Sequence, residues 1–177
     1  MKQIKLEQMT GGIVLDEDKR PIHVGHAKLR KFKIVCKKVT PPFIVCCRFR
    51  HEMDLIRAFL LTEYKRVECL HGGIKKGRTA LIDDFQAGKI NALIVQQRTG
   101  GVSVEFNRAK DIIIYSMTHS SIDFDQFVAR LHRYGQKHPV TVWLLYVQGT
   151  VDEQLLTNVK RKLAGTQVIL SSFEARS

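Results

Sequence analysis

No apolar run in this sequence approaches the ~20 residues that a helix needs to cross a bilayer. The first residues, Met1-Lys2-Gln3-Ile4-Lys5-Leu6-Glu7, lack the apolar core of a signal peptide. A soluble intracellular protein with no membrane partner is the expectation. Cysteine is scarce as well: Cys36, Cys46, Cys47 and Cys69 show no C-x-x-C spacing, and the adjacent pair sits within an apolar run. Neither a zinc centre nor a disulfide framework follows from such a pattern, and buried thiols with no metal site are expected. Internal repeats are absent. Acidic residues are few, 17 Asp and Glu against 29 Lys and Arg, which leaves a formal net charge of +12.

That charge is unevenly placed. Residues 1–78 hold 18 Lys and Arg against 8 Asp and Glu, whereas residues 79–177 hold 11 against 9. A basic excess concentrated in half the chain is the electrostatic footprint of a nucleic-acid binder, since clustered cations release counterions from a phosphate backbone. The alternative is a merely soluble basic protein. At 177 residues the chain can bury one sizeable core, so a single domain with extensions is expected.

Along the chain, Met1 to Thr10 reads as a short helix broken by Gly11-Gly12, and 16–21 as a turn. Lys28 to Val39 suits a basic helix ending before Pro41-Pro42. Regular alternation follows. Apolar strands are predicted at 43–47, 67–70, 91–95, 111–115 and 140–147, with helices at 51–61, 76–86 and 150–163. Met53, Ile56 and Leu60 should face inward, and Thr150-x-x-Glu153 forms a capping box. Near-continuous apolar strands alternating with helices predict an α/β fold with a mainly parallel sheet covered on both faces. The expected organisation is a leading segment over 1–25, a domain over 26–170 and a tail over 171–177.

Four stretches carry chemistry. The first, Gln126 to Gln136, is a predicted helix in which Phe124, Phe127, Val128 and Leu131 form an apolar stripe. Gln126, Arg130 and Arg133 share another face, a geometry suited to phosphate oxygens; a solvated basic face is the competing reading. The second, His71 to Thr79, contains Gly-x-x-x-x-Gly-Arg-Thr, one residue from the P-loop signature. Arg78 stands where the motif needs Lys, and no later strand ends in an acidic pair, so this stretch is read as a decoy. Third, Arg48, Arg50 and His51 leave the C-terminal end of a core strand, where open α/β sheets place their ligands. An exposed basic loop is the alternative. The fourth is Gln97 to Phe106, whose Gly100-Gly101 pair lets backbone amides approach an anion closely; a structural turn is the alternative. His132 is read as packing or solvent, and Glu153 as the capping partner of Thr150, so Asp152-Glu153 is not read as a catalytic pair.

Taken together, these stretches resemble the second RecA-like lobe of superfamily-two helicases and translocases, in the Swi/Snf-type form. Gln-x-x-x-Arg-x-x-Arg-x-Gly-Gln is similar to motif VI of that family, which implies that Arg130 and Arg133 are arginine fingers and that Gln126 contributes to the nucleotide site. Phe43 to Ile56 resembles motif IV of the bacterial and phage-like branch, implying DNA-phosphate contacts from Arg48 and Arg50. His71-Gly72-Gly73 resembles motif IVa, near the DNA backbone. Residues 97–106 resemble motif V, with Arg98 and Thr99 on DNA and Gly101 and Glu105 on the nucleotide, although Ser103-Val104-Glu105-Phe106 replaces the usual Gly-Leu-Asn-Leu. Gly25-His26-Ala27-Lys28-Leu29 is similar to the element that opens the lobe.

The resemblance implies a RecA-like three-layer α/β/α fold and an engine that hydrolyses ATP with Mg2+ to move along or remodel double-stranded DNA. Both ATP and Mg2+ would be held mainly by a first, P-loop lobe in the same longer protein or a separate chain. This sequence has no credible P-loop and no Asp-Glu-x-His motif, so the isolated chain is expected to be inactive. Two other readings stand beside that one: a stand-alone nucleic-acid-binding module without ATPase activity, and a small NTPase built on the near-P-loop.

Overall fold

The computed structural model of the protein describes residues 2–74, 76–97, 108–117, 139–164 and 168–175. The predicted motif VI helix lies outside them. Six parallel strands form the central sheet: β3 (Phe43–Cys47), β4 (Val67–Leu70), β5 (Ala92–Gln96), β6 (Asp111–Ile114), β7 (Val140–Val147) and β8 (Val168–Ala175), in the order β4-β5-β3-β6-β7-β8. The crossovers include α3 (Arg50–Glu63) and α4 (Arg78–Gln86), and α5 (Asp152–Leu163) joins β7 to β8.

Successive side chains of a strand point to opposite faces, and β3 shows what this does when both faces are covered. Ile44 and Cys46 join a core with Leu93 and Ile112, closed by Phe85 of α4 and Val159 of α5. Phe43, Val45 and Cys47 join another with Ile94 and Ile113. This second core is closed by Met53, Ile56 and Leu60 of α3 and by Phe32 and Val35 of α2 (Ala27–Cys36). The result is the predicted three-layer arrangement. Burial on both faces is why β3 reads as an unbroken apolar run rather than an alternation.

The predicted strands match the observed ones to within a residue at each end, and α3 and α4 fall where helices were expected. Three features differ. After α1 (Lys2–Gly11), Ile13–Leu15 (β1) and Pro21–His23 (β2) pair antiparallel around the predicted turn. Residues 171–175, expected in a tail, continue β8, which pairs in register with β7 from Val140↔Val168 to Val147↔Ala175. The cap of α5 is also shifted: the Thr150 hydroxyl accepts the Asp152 amide at 3.2 Å, while Glu153 Oε1 accepts the Gly149 amide at 3.0 Å. Among the described residues no helix is long and apolar enough to cross a membrane.

Candidate nucleic-acid interface

All six strands point the same way, so the loops after β3 and β4 emerge together at the carboxyl edge of the sheet. There Arg50 Nη2 lies 3.1 Å from His71 Nδ1, bringing together the two stretches singled out at 48–51 and 71–73. The Gly73 amide donates to the same nitrogen at 3.1 Å. Because Nδ1 accepts, the neutral imidazole carries its proton on Nε2. Burial, followed by the neighbouring Arg50 charge, holds the His71 pKa below its ordinary value. A Cβ on Gly73 would stand 2.5 Å from Arg50 Nη2, so a larger residue would push this flexible, exposed side chain off its present position. Arg50 and Gly72 are exposed, which leaves the guanidinium facing solvent at this edge.

Arg48 behaves differently. Its guanidinium pairs with the Glu7 carboxylate of α1, and its side chain is 13% exposed. The same guanidinium lies 5.1 Å from the centre of the Phe49 ring. Its backbone is fixed too, with the Arg48 amide donating to Ser116 Oγ at 2.9 Å and its carbonyl accepting from Gln96 at 3.3 Å. Two arginines expected on one surface are therefore divided, one outward and one under the N-terminal helix.

Beneath this edge runs a buried polar network that sequence reasoning missed. Glu52 is fully buried; its Oε2 accepts the Phe49 amide at 3.1 Å and the Ser116 hydroxyl. Its Oε1 has no hydrogen-bond partner among the described residues. Burial raises the Glu52 pKa, opposed by the Ser116 hydrogen bond and the Lys28 charge. Lys28 Nζ lies 2.6 Å from Asp152 Oδ2, and Asp152 also accepts from the Val147 amide at 3.1 Å and the Thr10 hydroxyl at 3.2 Å. The Lys28 ammonium sits 5.7 Å over the Tyr115 ring, whose hydroxyl donates to the Gly11 carbonyl at 2.9 Å. The Gly-x-x-Lys-Leu element had drawn attention to Lys28, but nothing local marks it as buried. Asp152, read only as not catalytic, is an ion-pair partner.

Arg98, Thr99, Gly101, Glu105, Gln126, Arg130 and Arg133 lie outside the described residues. The near-P-loop is partly visible. The His71 carbonyl accepts the Ile74 amide at 3.1 Å and His71 Nδ1 takes the Gly73 amide, so two amides that a phosphate would need serve the local turn. Among the described residues no group of three His, Cys, Asp or Glu could hold a metal ion. The His71–Ile74 turn keeps its Gly73 and Ile74 amides for itself.

Comparison with known proteins supports the same architecture. Residues 27–135 match the family described as the helicase conserved C-terminal domain. The chain is 25% identical over 154 residues to the CHD3-type chromatin-remodeling factor PICKLE of Arabidopsis thaliana, covering 84% of this chain and 11% of that protein. The C-terminal part of the Fun30 ATPase domain superposes with a TM-score of 0.58 at 27% identity, over 81% of this chain and 46% of that one. The C-terminal domain of the DEAD-box protein Dbp5 superposes with a TM-score of 0.62 at 15% identity, over 84% and 83%. The fold is thus the RecA-like helicase C-terminal lobe.

Proposed function

This chain belongs to the helicase conserved C-terminal domain family, and from that premise we propose that it is the second lobe of a Swi/Snf-type, ATP-dependent DNA translocase of the bacterial and phage-like branch, working inside the cell. The observation that carries the reading is the meeting of Arg50 and His71 at the carboxyl edge, which joins the motif IV and motif IVa stretches into one surface carrying the exposed Arg50 guanidinium. In this reading Arg50, His71 and Gly72 face the duplex backbone with Arg98 and Thr99. Gln126, Gly101 and Glu105 face the nucleotide, while Arg130 and Arg133 reach toward its γ-phosphate. A first lobe supplies the P-loop and most of the contacts to ATP and Mg2+. ATP bound there supplies the phosphoryl group, and this lobe's arginines offset the charge that develops during transfer, an effect of about a thousandfold or more in related chemistry.

The test compares ATP hydrolysis by the chain alone, with and without duplex DNA, and by an assembly with a P-loop lobe. Duplex binding without hydrolysis is expected from the chain alone. Loss of assembly activity in Arg130→Ala, with duplex affinity retained, supports the motor. If no assembly hydrolyses ATP while the chain binds duplex, the protein is a nucleic-acid-binding module. Hydrolysis by the chain alone, abolished in Arg78→Ala, would make it a small NTPase.

A further inference from the structure

The Glu7–Arg48 pair occupies the carboxyl edge at which the duplex is placed above, and the inference rests on that placement. We propose that α1 is a displaceable strap in which the Glu7 carboxylate stands in for a DNA backbone phosphate on Arg48. Carboxylate and phosphate offer a guanidinium the same kind of paired oxygen acceptors, so one can replace the other without leaving the cation unpaired. Arg48 sits at the carboxyl end of β3, two residues before the exposed Arg50. A backbone path that reaches Arg50 therefore passes close to the position Glu7 fills.

The way α1 is held fits a segment that can leave. Between Leu6, Met9 and Thr10 on the helix and Val24, Lys28 and Val147 on the body lies a groove of about 810 Å³. Ile4, Leu6 and Met9 are each roughly half exposed. Apolar burial consequently contributes little to seating the N-terminal part of the helix. Lys5 Nζ and Gln8 Oε1 hold the Leu15 backbone of β1, and the polar holds of α1 on the body of the domain include the Glu7 carboxylate on Arg48, the Thr10 hydroxyl on Asp152 and the Gly11 carbonyl under Tyr115. The last two anchor its C-terminal end. Releasing Glu7 from Arg48 lets the part of α1 before Thr10 tilt about that anchor, and duplex affinity is reduced by the fraction of molecules in which the strap is seated.

The test uses the full chain and a labelled duplex, titrated at several salt concentrations, with Glu7→Gln, Arg48→Ala and the double variant. Glu7→Gln should tighten binding by about threefold to tenfold by abolishing the seated state. One further phosphate contact should steepen the logarithmic salt slope by about 0.9. Both gains should vanish in the Arg48→Ala background. Amide exchange over residues 3–11 should quicken when duplex is added to the unaltered protein. Inorganic phosphate at equal ionic strength should leave that exchange unchanged; release by phosphate alone would overturn the assignment to the duplex. Unchanged or weaker binding in Glu7→Gln, slower exchange of α1 on duplex, or a lowered melting temperature with weaker binding would make Glu7 a fixed brace and sink the strap. Those failures leave the surface reading standing if Arg50→Ala still weakens duplex binding; if no duplex binds at all, the surface reading itself fails.

Discussion

Lys28 and Asp152, 124 residues apart in sequence, meet at 2.6 Å with side chains 1% and 7% exposed. Each opens a helix, and the two placements are not equivalent. A carboxylate in the first turn of α5 is favoured by the helix dipole, whereas an ammonium in the first turn of α2 is not. Lys28 therefore depends on Asp152 more than the reverse, since Asp152 also accepts from Thr10 and Val147. Asp152→Asn should cost about 3–5 kcal/mol by leaving a buried cation without its partner. Lys28→Met should cost less. A double-mutant cycle by urea denaturation checks both, and the paired variant should lose less than the sum of the singles.

Gly11 lies against the fully buried Glu52. A Cβ at position 11 would stand 2.1 Å from Glu52 Oε1, and the carboxylate cannot swing away without giving up the Phe49 amide and the Ser116 hydroxyl. Gly11→Ala should therefore destabilise the protein by about 1–3 kcal/mol, the usual cost of overpacking, read as a lowered denaturation midpoint. An unchanged midpoint would mean that α1 is not seated as described.

Much of the fold was legible before these contacts were seen, for a physical reason. Buried parallel strands such as Phe43–Cys47 must be apolar on both faces, so they announce themselves as short runs bounded by turn residues. The strand β8, Val168–Ala175, announces itself less well. It lies at the sheet edge, where Ser171 and Ser172 are tolerated, and no strand is predicted from the sequence over 168–175. The convergence of Arg50 and His71 follows from strand order and was implied by the motifs. The partners of Arg48 and Lys28 were illegible, because a buried ion pair is a property of two distant positions and neither residue carries a local mark of it. Glu52 shows the same limit. On a helical wheel it adjoins Met53 and Ile56, yet nothing in its neighbours predicts complete burial of a carboxyl group.

Arg50→Ala should weaken duplex binding and lower the logarithmic salt slope by about 0.9, the loss of one phosphate contact. Stability should change little, because the side chain is exposed. The same variant should raise the His71 pKa toward its ordinary value, leaving burial as the main downward influence. A proton NMR titration of the imidazole follows this without any DNA. An unmoved His71 titration would separate Arg50 from His71 in solution.

Acid should destabilise the protein through its histidines. Burial lowers the pKa of both His51 and His71 below 6.5 in the folded state. A group with a depressed folded value contributes stability that is full above the unfolded value and is lost as pH falls through the folded one. Urea midpoints should therefore drop from about pH 7 toward pH 5. His51 stacks on Phe49 with centroids 5.3 Å apart and an 8° interplanar angle, so His51→Phe should keep the packing and remove part of the slope. Glu52 acts in the opposite sense: its folded value is raised, so its contribution is full below 4.5 and fades as pH rises through the folded value. Glu52→Gln should flatten that second limb alone.

The strand order β4-β5-β3-β6-β7-β8 also sets a schedule for a chain emerging from the ribosome. On one side of β3, each newly made strand lands on the free edge left by the one before it, so assembly can keep pace with synthesis. On the other side β4 is made before β5 but lies outside it, and must wait without a neighbour until residues 92–96 arrive. A ribosome paused before residue 92 would hold β4 unpaired. One paused before residue 168 would hold the eight residues of β7 as an open edge, and these are the two points at which a chaperone has most to cover.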